Sequence, residues 1–128
     1  MTDQRFRVNA PSVIHETLGD EVVIINLAAG TCYTLAGLGV QIWQALASGA
    51  STDEVVAQVE ASYSTTRVGA LESVSAFIDD LVTEGLLTPH DVIPVEPPRR
   101  VSAGTPGARF EVPIIDRFTG VQELGNLL

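Results

Sequence analysis

The first third of the chain alternates short apolar, β-branched segments with turn residues, a pattern that predicts a small sheet. Val13 to Leu18 is followed by the turn pair Gly19-Asp20, and Val22 to Leu27 is β-branched and apolar. Ala28-Ala29-Gly30 supplies a second turn, after which Thr31 to Leu35 returns with strand-forming residues. We therefore expect a three-stranded antiparallel sheet whose last strand remains an open edge, and an open edge is a possible binding site.

Three amphipathic helices are predicted after the strands. The first contains Trp43 and ends near Gly49, and the second begins at Ser51, where Glu54 completes the sequence pattern of a capping box. The third has the clearest helical spacing and ends before Gly85. Its apolar positions recur at intervals of three and four, at Leu71, Val74, Phe77, Ile78, Leu81 and Val82. The order β-β-β-α-α-α indicates an α+β domain.

Composition changes sharply after this domain. Residues 91–109 are rich in proline and glycine with few large apolar side chains, which is typical of a linker. Apolar residues return in 110–128, a segment too hydrophobic to be a solubilising tail. We predict a flexible N-terminus over 1–12, a domain over 13–90, a linker over 91–109 and an apolar tail over 110–128.

Charge and composition exclude several classes of function. The net charge is −9, and between Val13 and His90 the only strong base is Arg67, against ten acidic residues, which disfavours a nucleic-acid partner. One cysteine and two distant histidines offer neither a disulfide nor zinc-ligand spacing. The sequence shows no secretory signal and no span of membrane length, so we expect a cytoplasmic protein.

No set of catalytic residues is evident. His15 has no partner apparent in the sequence, and Cys32 lies in a predicted strand without a neighbouring base to activate it. Asp79, Asp80 and Glu84 fall on the polar side of the third helix, where a solvated face is the simpler interpretation. Phosphate-binding glycine motifs are also missing. We expect no enzyme activity, no cofactor and no metal, which leaves a binding module.

Several ordered segments resemble the PqqD family of small peptide-recognition proteins, the RiPP recognition elements of ribosomally made peptide natural products. The segments are ETLGDEVVIINLAAGTCYTL from Glu16, GVQIW from Gly39, GASTDEV from Gly49 and VSAFIDDLVTEGLL from Val74. The resemblance implies a winged-helix-like domain that binds the leader of a precursor peptide and presents it to a modifying enzyme. It also implies that the leader adds as a strand to the third strand, against the third helix.

These expectations name the candidate peptide-binding residues. The edge would be Thr31, Cys32, Tyr33, Thr34 and Leu35, and the opposing wall Val74, Phe77, Ile78 and Leu81. Two alternatives remain open: a winged-helix DNA-binding regulator, which the acidic third helix disfavours, and a small scaffold protein that recruits a partner through its tail.

The tail itself resembles the leader motif of lasso-peptide precursors. Phe110 stands where that motif usually has tyrosine, Pro113 matches, Ile115 replaces leucine, and Gly120 is one position late. We expect the tail to lie along the Thr31–Leu35 edge, in its own molecule or in a neighbour, because burying large apolar side chains offsets the ordering of a short strand. Phe110 and Ile115 would then occupy the cleft beside the third helix. The full docking set is Phe110, Pro113, Ile115 and Phe118.

Overall fold

The structure is a computed structural model that describes residues 4–90, 101, 108–113 and 115–119. Its strands in chain order are β1 (Arg5–Val8), β2 (Val13–Leu18), β3 (Glu21–Asn26), β4 (Thr31–Ala36), β5 (Tyr63–Ser64), β6 (Leu87–His90), β7 (Ala108–Arg109) and β8 (Ile115–Thr119). The helices are α1 (Leu38–Ala47), α2 (Thr52–Ser62) and α3 (Arg67–Thr83). The three predicted helices are therefore present, in the predicted order.

The main sheet has four antiparallel strands in the order β2-β3-β4-β8, rather than the three predicted. The first three strands follow the prediction closely, with Val13 opposite Asn26 and Ile24 opposite Tyr33. The fourth comes from the C-terminal tail. The tail was expected along the Thr31–Leu35 edge, in its own molecule or in a neighbour, and residues 115–119 pair with that edge within the same chain. The expected open edge, β4, is consequently paired on both sides.

The N-terminus departs from the flexible segment predicted over residues 1–12. Arg5–Val8 form β1, which pairs antiparallel with β6, so that Phe6 lies opposite Pro89. Phe6 is buried in the core, and Arg5 donates a hydrogen bond of 2.6 Å to the Gly49 carbonyl and contacts the Glu54 carboxylate at 2.8 Å. Burial of one aromatic ring and these polar contacts hold a segment whose composition alone suggested fraying.

Local sequence signals determine the helix ends. The Ser51 hydroxyl accepts from the Glu54 amide at 3.2 Å, and the Glu54 carboxylate accepts from the Ser51 amide at 2.8 Å, which is the predicted capping box. Thr66 caps α3 in the same way through the Gly69 amide. Past the end of α3, Gly85 has φ of 76°, a left-handed conformation that glycine adopts without strain.

The core lies between one face of the main sheet and the three helices. Val22, Ile24, Tyr33 and Leu35 point inward from the sheet, and Trp43 is fully buried on α1. The Trp43 indole N–H donates to His15 Nδ1 at 3.3 Å, and the two rings pack edge to face. Trp43 is thus a core residue that also anchors β2.

Only part of the predicted linker lies within the described residues. Val101 is buried and its amide donates to the Gln58 side chain at 2.6 Å. Ala108–Arg109 form β7, which pairs in parallel with β5. These residues contact the domain, in contrast to the free linker expected over 91–109, because a buried valine and paired backbone groups favour contact over solvent.

Candidate functional site

The outer edge of β4 is the centre of the candidate site, and it holds an extended strand. β8 lies antiparallel to it, with Leu35 opposite Ile115, Tyr33 opposite Arg117 and Thr31 opposite Thr119. The backbone groups of β4 that would otherwise be unpaired therefore have a partner from the same chain. The edge accepts a strand of five residues in this register.

Residues of β4 alternate between the two faces of the sheet. Thr31, Tyr33 and Leu35 are buried on the face toward the helices, whereas Thr34 on the other face is half-buried. Cys32 also lies on that second face but is only 3% exposed. Burial raises the pKa of the Cys32 thiol, which makes it a poor nucleophile at neutral pH.

The apolar wall predicted on the third helix is buried as a group. Val74, Phe77, Ile78 and Leu81 all belong to the core cluster, and none is more than 4% exposed. Ile115 of β8 is partly buried and packs against the same cluster. The Ile115 side chain of β8 therefore extends the core at the edge between β4 and α3.

A chain of polar contacts joins β4, α3 and β8. The Thr31 hydroxyl donates to the Tyr33 oxygen at 3.0 Å, and the Tyr33 hydroxyl donates to Glu84 Oε1 at 2.7 Å. The same Oε1 lies 3.5 Å from Arg117 Nη1. Burial raises the pKa of the Tyr33 phenol, so it stays protonated and able to donate at neutral pH.

Glu84 is the site residue that the sequence analysis missed, since its position on the polar side of the third helix suggested a solvated carboxylate. Its side chain is 28% exposed. A buried tyrosine normally finds a polar partner for its hydroxyl, and that rule applied to Tyr33 is the signal that could have pointed to an acid near the groove. Glu84, Asp80, Tyr33, Ile115 and Arg117 line a cavity of about 260 Å³.

The tail residues predicted to dock lie in different surroundings. Pro113 is buried and Ile115 lies beside the groove. Phe110, expected in the cleft beside the third helix, makes its ring contact with Tyr63 after the end of α2, with centroids 6.5 Å apart. Ile115 is the last residue paired with β4 at that end, so Phe110 lies beyond the edge. Phe118 takes the strand position opposite Cys32, and its side chain is outside the described residues.

In the described part of the chain, no three histidine, cysteine or acidic residues lie close enough together to hold a metal ion. No helix in this part combines the length and apolar character needed to cross a membrane.

The chain is similar to one known protein family and to a solved structure. The family model for coenzyme PQQ synthesis protein D, PqqD, matches residues 21–87, which include β3, β4 and all three helices. A solved structure described as TbiB1 in complex with the TbiA(beta) leader peptide is similar, with 28% sequence identity and a TM-score of 0.61. The similarity covers 67% of this chain and 99% of that one. No curated protein sequence matches the chain.

Proposed function

The chain belongs to the PqqD family, and from this premise we propose that it is a RiPP recognition element that binds the leader of a ribosomally made precursor peptide. The similar solved structure is that of a leader-peptide complex, which supports a peptide as the ligand here. In this role the chain does no chemistry. It holds the leader so that a separate modifying enzyme can act on the rest of the precursor.

The observation that carries the proposal is the pairing of β8 with β4. The backbone groups of the β4 edge and the apolar surface beside it suit an extended antiparallel strand in the register of β8. A leader would take the place of β8, with backbone hydrogen bonds setting its register and alternate side chains directed toward α3. The residues proposed to bind it are Thr31, Cys32, Tyr33, Thr34 and Leu35 of β4 and Val74, Phe77, Ile78 and Leu81 of α3.

The tail is proposed to act as a competitor tethered to the same molecule. Because the tail is part of the chain, its effective concentration at the edge is high, and an external leader competes with it there. An external leader must therefore displace β8 before it binds. The modifying enzyme would therefore receive only a leader that has replaced β8 at the edge.

DNA binding is the weaker alternative. The exposed side of α3 carries Glu72, Asp79 and Asp80, and a recognition helix with this charge would be repelled by phosphates. We therefore retain peptide recognition as the single proposed function.

Titration of the full chain with labelled leader peptides encoded beside its gene tests the proposal. Fluorescence anisotropy should give a dissociation constant well below about 1 mM, equivalent to about 4 kcal/mol, for one leader and not for its scrambled sequence. The amide resonances of β4 should shift in the same titration. Binding of duplex DNA without binding of any leader would refute the proposed function.

A further inference from the structure

The groove between β4 and α3, where Ile115 packs against the core cluster, is acidic at one corner. We name this the acidic corner and define it as Asp80, Glu84 and Tyr33. Asp80 lies in the last turn of α3, Glu84 is the residue just past its end, and both line the same cavity. Among the described residues that line this cavity, Arg117 is the only base. The corner therefore presents two carboxylates to the bound strand, and Arg117 of that strand is the cation that faces them.

The register of β8 places two of its side chains on the same face as the groove. Ile115 lies opposite Leu35 and packs against the core cluster, and Arg117 lies opposite Tyr33, two residues further along. Residues two apart in a strand share a face, so an aliphatic and a basic side chain enter the groove side by side. The intervening Asp116 is exposed.

We propose that the acidic corner is a specificity site: in a strand paired with β4, it selects lysine or arginine two residues after a large aliphatic side chain. The inference rests on the proposed function, because the strand it selects is the leader. The tail segment Ile115-Asp116-Arg117 is the version of this pattern that the chain itself carries. The corner disfavours leaders that carry an acidic residue two positions after the aliphatic side chain.

The geometry gives Glu84 a fixed position for this task. The Tyr33 hydroxyl donates to Glu84 Oε1 at 2.7 Å, and the Thr31 hydroxyl in turn donates to Tyr33, so the carboxylate is held facing the strand. The side chain of Arg117 is 51% exposed and that of Glu84 is 28% exposed. An ion pair this exposed adds little affinity, but placing a like charge there is unfavourable, so the corner discriminates between sequences more than it tightens binding.

The test uses the full chain with the substitution Ile115→Asp, which weakens the pairing of its own tail with β4. The ligands are synthetic peptides with the sequence of residues 108–119. One peptide keeps arginine at position 117 and the other carries glutamate there. Anisotropy should show the arginine peptide binding about tenfold more tightly than the glutamate peptide at low salt. The ratio should fall as the ionic strength rises.

Substitutions of Glu84 in the same chain should change the ratio. Glu84→Arg should reverse the preference, and Glu84→Gln, which still accepts from Tyr33, should reduce it severalfold while keeping the fold. Glu72→Arg is the matched control, since it makes the same change in charge on α3 at about 18 Å along the helix axis. It should leave the ratio unchanged.

Equal binding of the two peptides to the chain with Glu84 intact would overturn the specificity site while leaving leader binding standing. A ratio that Glu84→Gln leaves unchanged, with thermal melting showing a folded protein, would overturn it as well. Failure of every peptide and every encoded leader to bind any variant would instead overturn the proposed function, and this inference with it.

Discussion

Arg117 in the tail strand and Glu84 just past the end of α3 face each other across the groove, with Nη1 and Oε1 3.5 Å apart. Residue 84 also receives the Tyr33 hydroxyl, so one carboxylate contacts both the strand edge and the segment that covers it. The tail is therefore held by side-chain contacts as well as by pairing with β4. Under the proposed function, a leader that binds at this edge has to displace the tail.

Weakening the tail should tighten the binding of an external leader. Ile115→Asp places a charge beside the core cluster, and we expect the leader affinity of the full chain to rise about tenfold or more as β8 leaves the edge. Val112→Asp is the matched control, because Val112 is 62% exposed in the same tail and its substitution should not change the affinity. An unchanged affinity in the Ile115 variant, measured by anisotropy, would show that β8 does not compete.

Removing the Tyr33 hydroxyl should destabilise the domain. Tyr33→Phe deletes the donor to Glu84 and leaves the Thr31 hydroxyl without its acceptor, at a cost of about 1–2 kcal/mol in the free energy of unfolding. Tyr63→Phe, which removes the hydroxyl that accepts from Gln41 at a half-buried site, should cost less. Urea denaturation followed by Trp43 fluorescence measures both, and equal effects would argue against a special role for the Tyr33 contacts.

The N-terminal strand should contribute to stability. Phe6→Ala removes a buried ring and is expected to cost about 3–5 kcal/mol, because the cavity it leaves is lined by core residues. Arg7→Ala changes the exposed neighbour in the same strand and should have little effect. If thermal melting gives the two variants the same midpoint, β1 does not pack on the core in solution.

Acid should weaken the start of α2. The Ser51 amide and the Arg5 guanidinium hold the pKa of Glu54 below its usual value of 4.5, against the opposing effect of partial burial. A lowered folded-state pKa stabilises the protein above pH 4.5, and this stabilisation is lost as the pH falls below 4.5 through the folded-state value. The Glu54 side chain is 41% exposed, so the loss is below about 1 kcal/mol.

The variant Glu54→Gln isolates this effect. It should be less stable than the parent at pH 7 and should lose part of its disadvantage toward pH 3, when stability is measured by urea denaturation at each pH. Glu72→Gln, on the exposed side of α3, serves as the control. A constant difference between parent and Glu54→Gln at every pH would rule out the carboxylate as the titrating group.

Local patterns in the sequence were sufficient for the elements that depend on local physics. The turn at Gly19-Asp20, the capping box of Ser51 and Glu54, and the stop at Gly85 each rest on residues a few positions apart. The apolar spacing of the third helix likewise identified its buried face. Backbone preference and helical periodicity act over such distances, so the helices and the first hairpins could be predicted.

Tertiary structure alone decided the features that join distant segments. Pairing of Phe6 with Pro89, contact of Phe110 with Tyr63, and the hydrogen bond between Tyr33 and Glu84 each bring together residues that no local pattern relates. The exposure of an acidic side chain depends on which segments pack beside it. The polar pattern of the third helix therefore gave no sign that Glu84 accepts a hydrogen bond from the buried Tyr33 hydroxyl. Buried backbone groups and hydroxyls need hydrogen-bond partners, and these partners come from the segments that pack beside them in the folded chain.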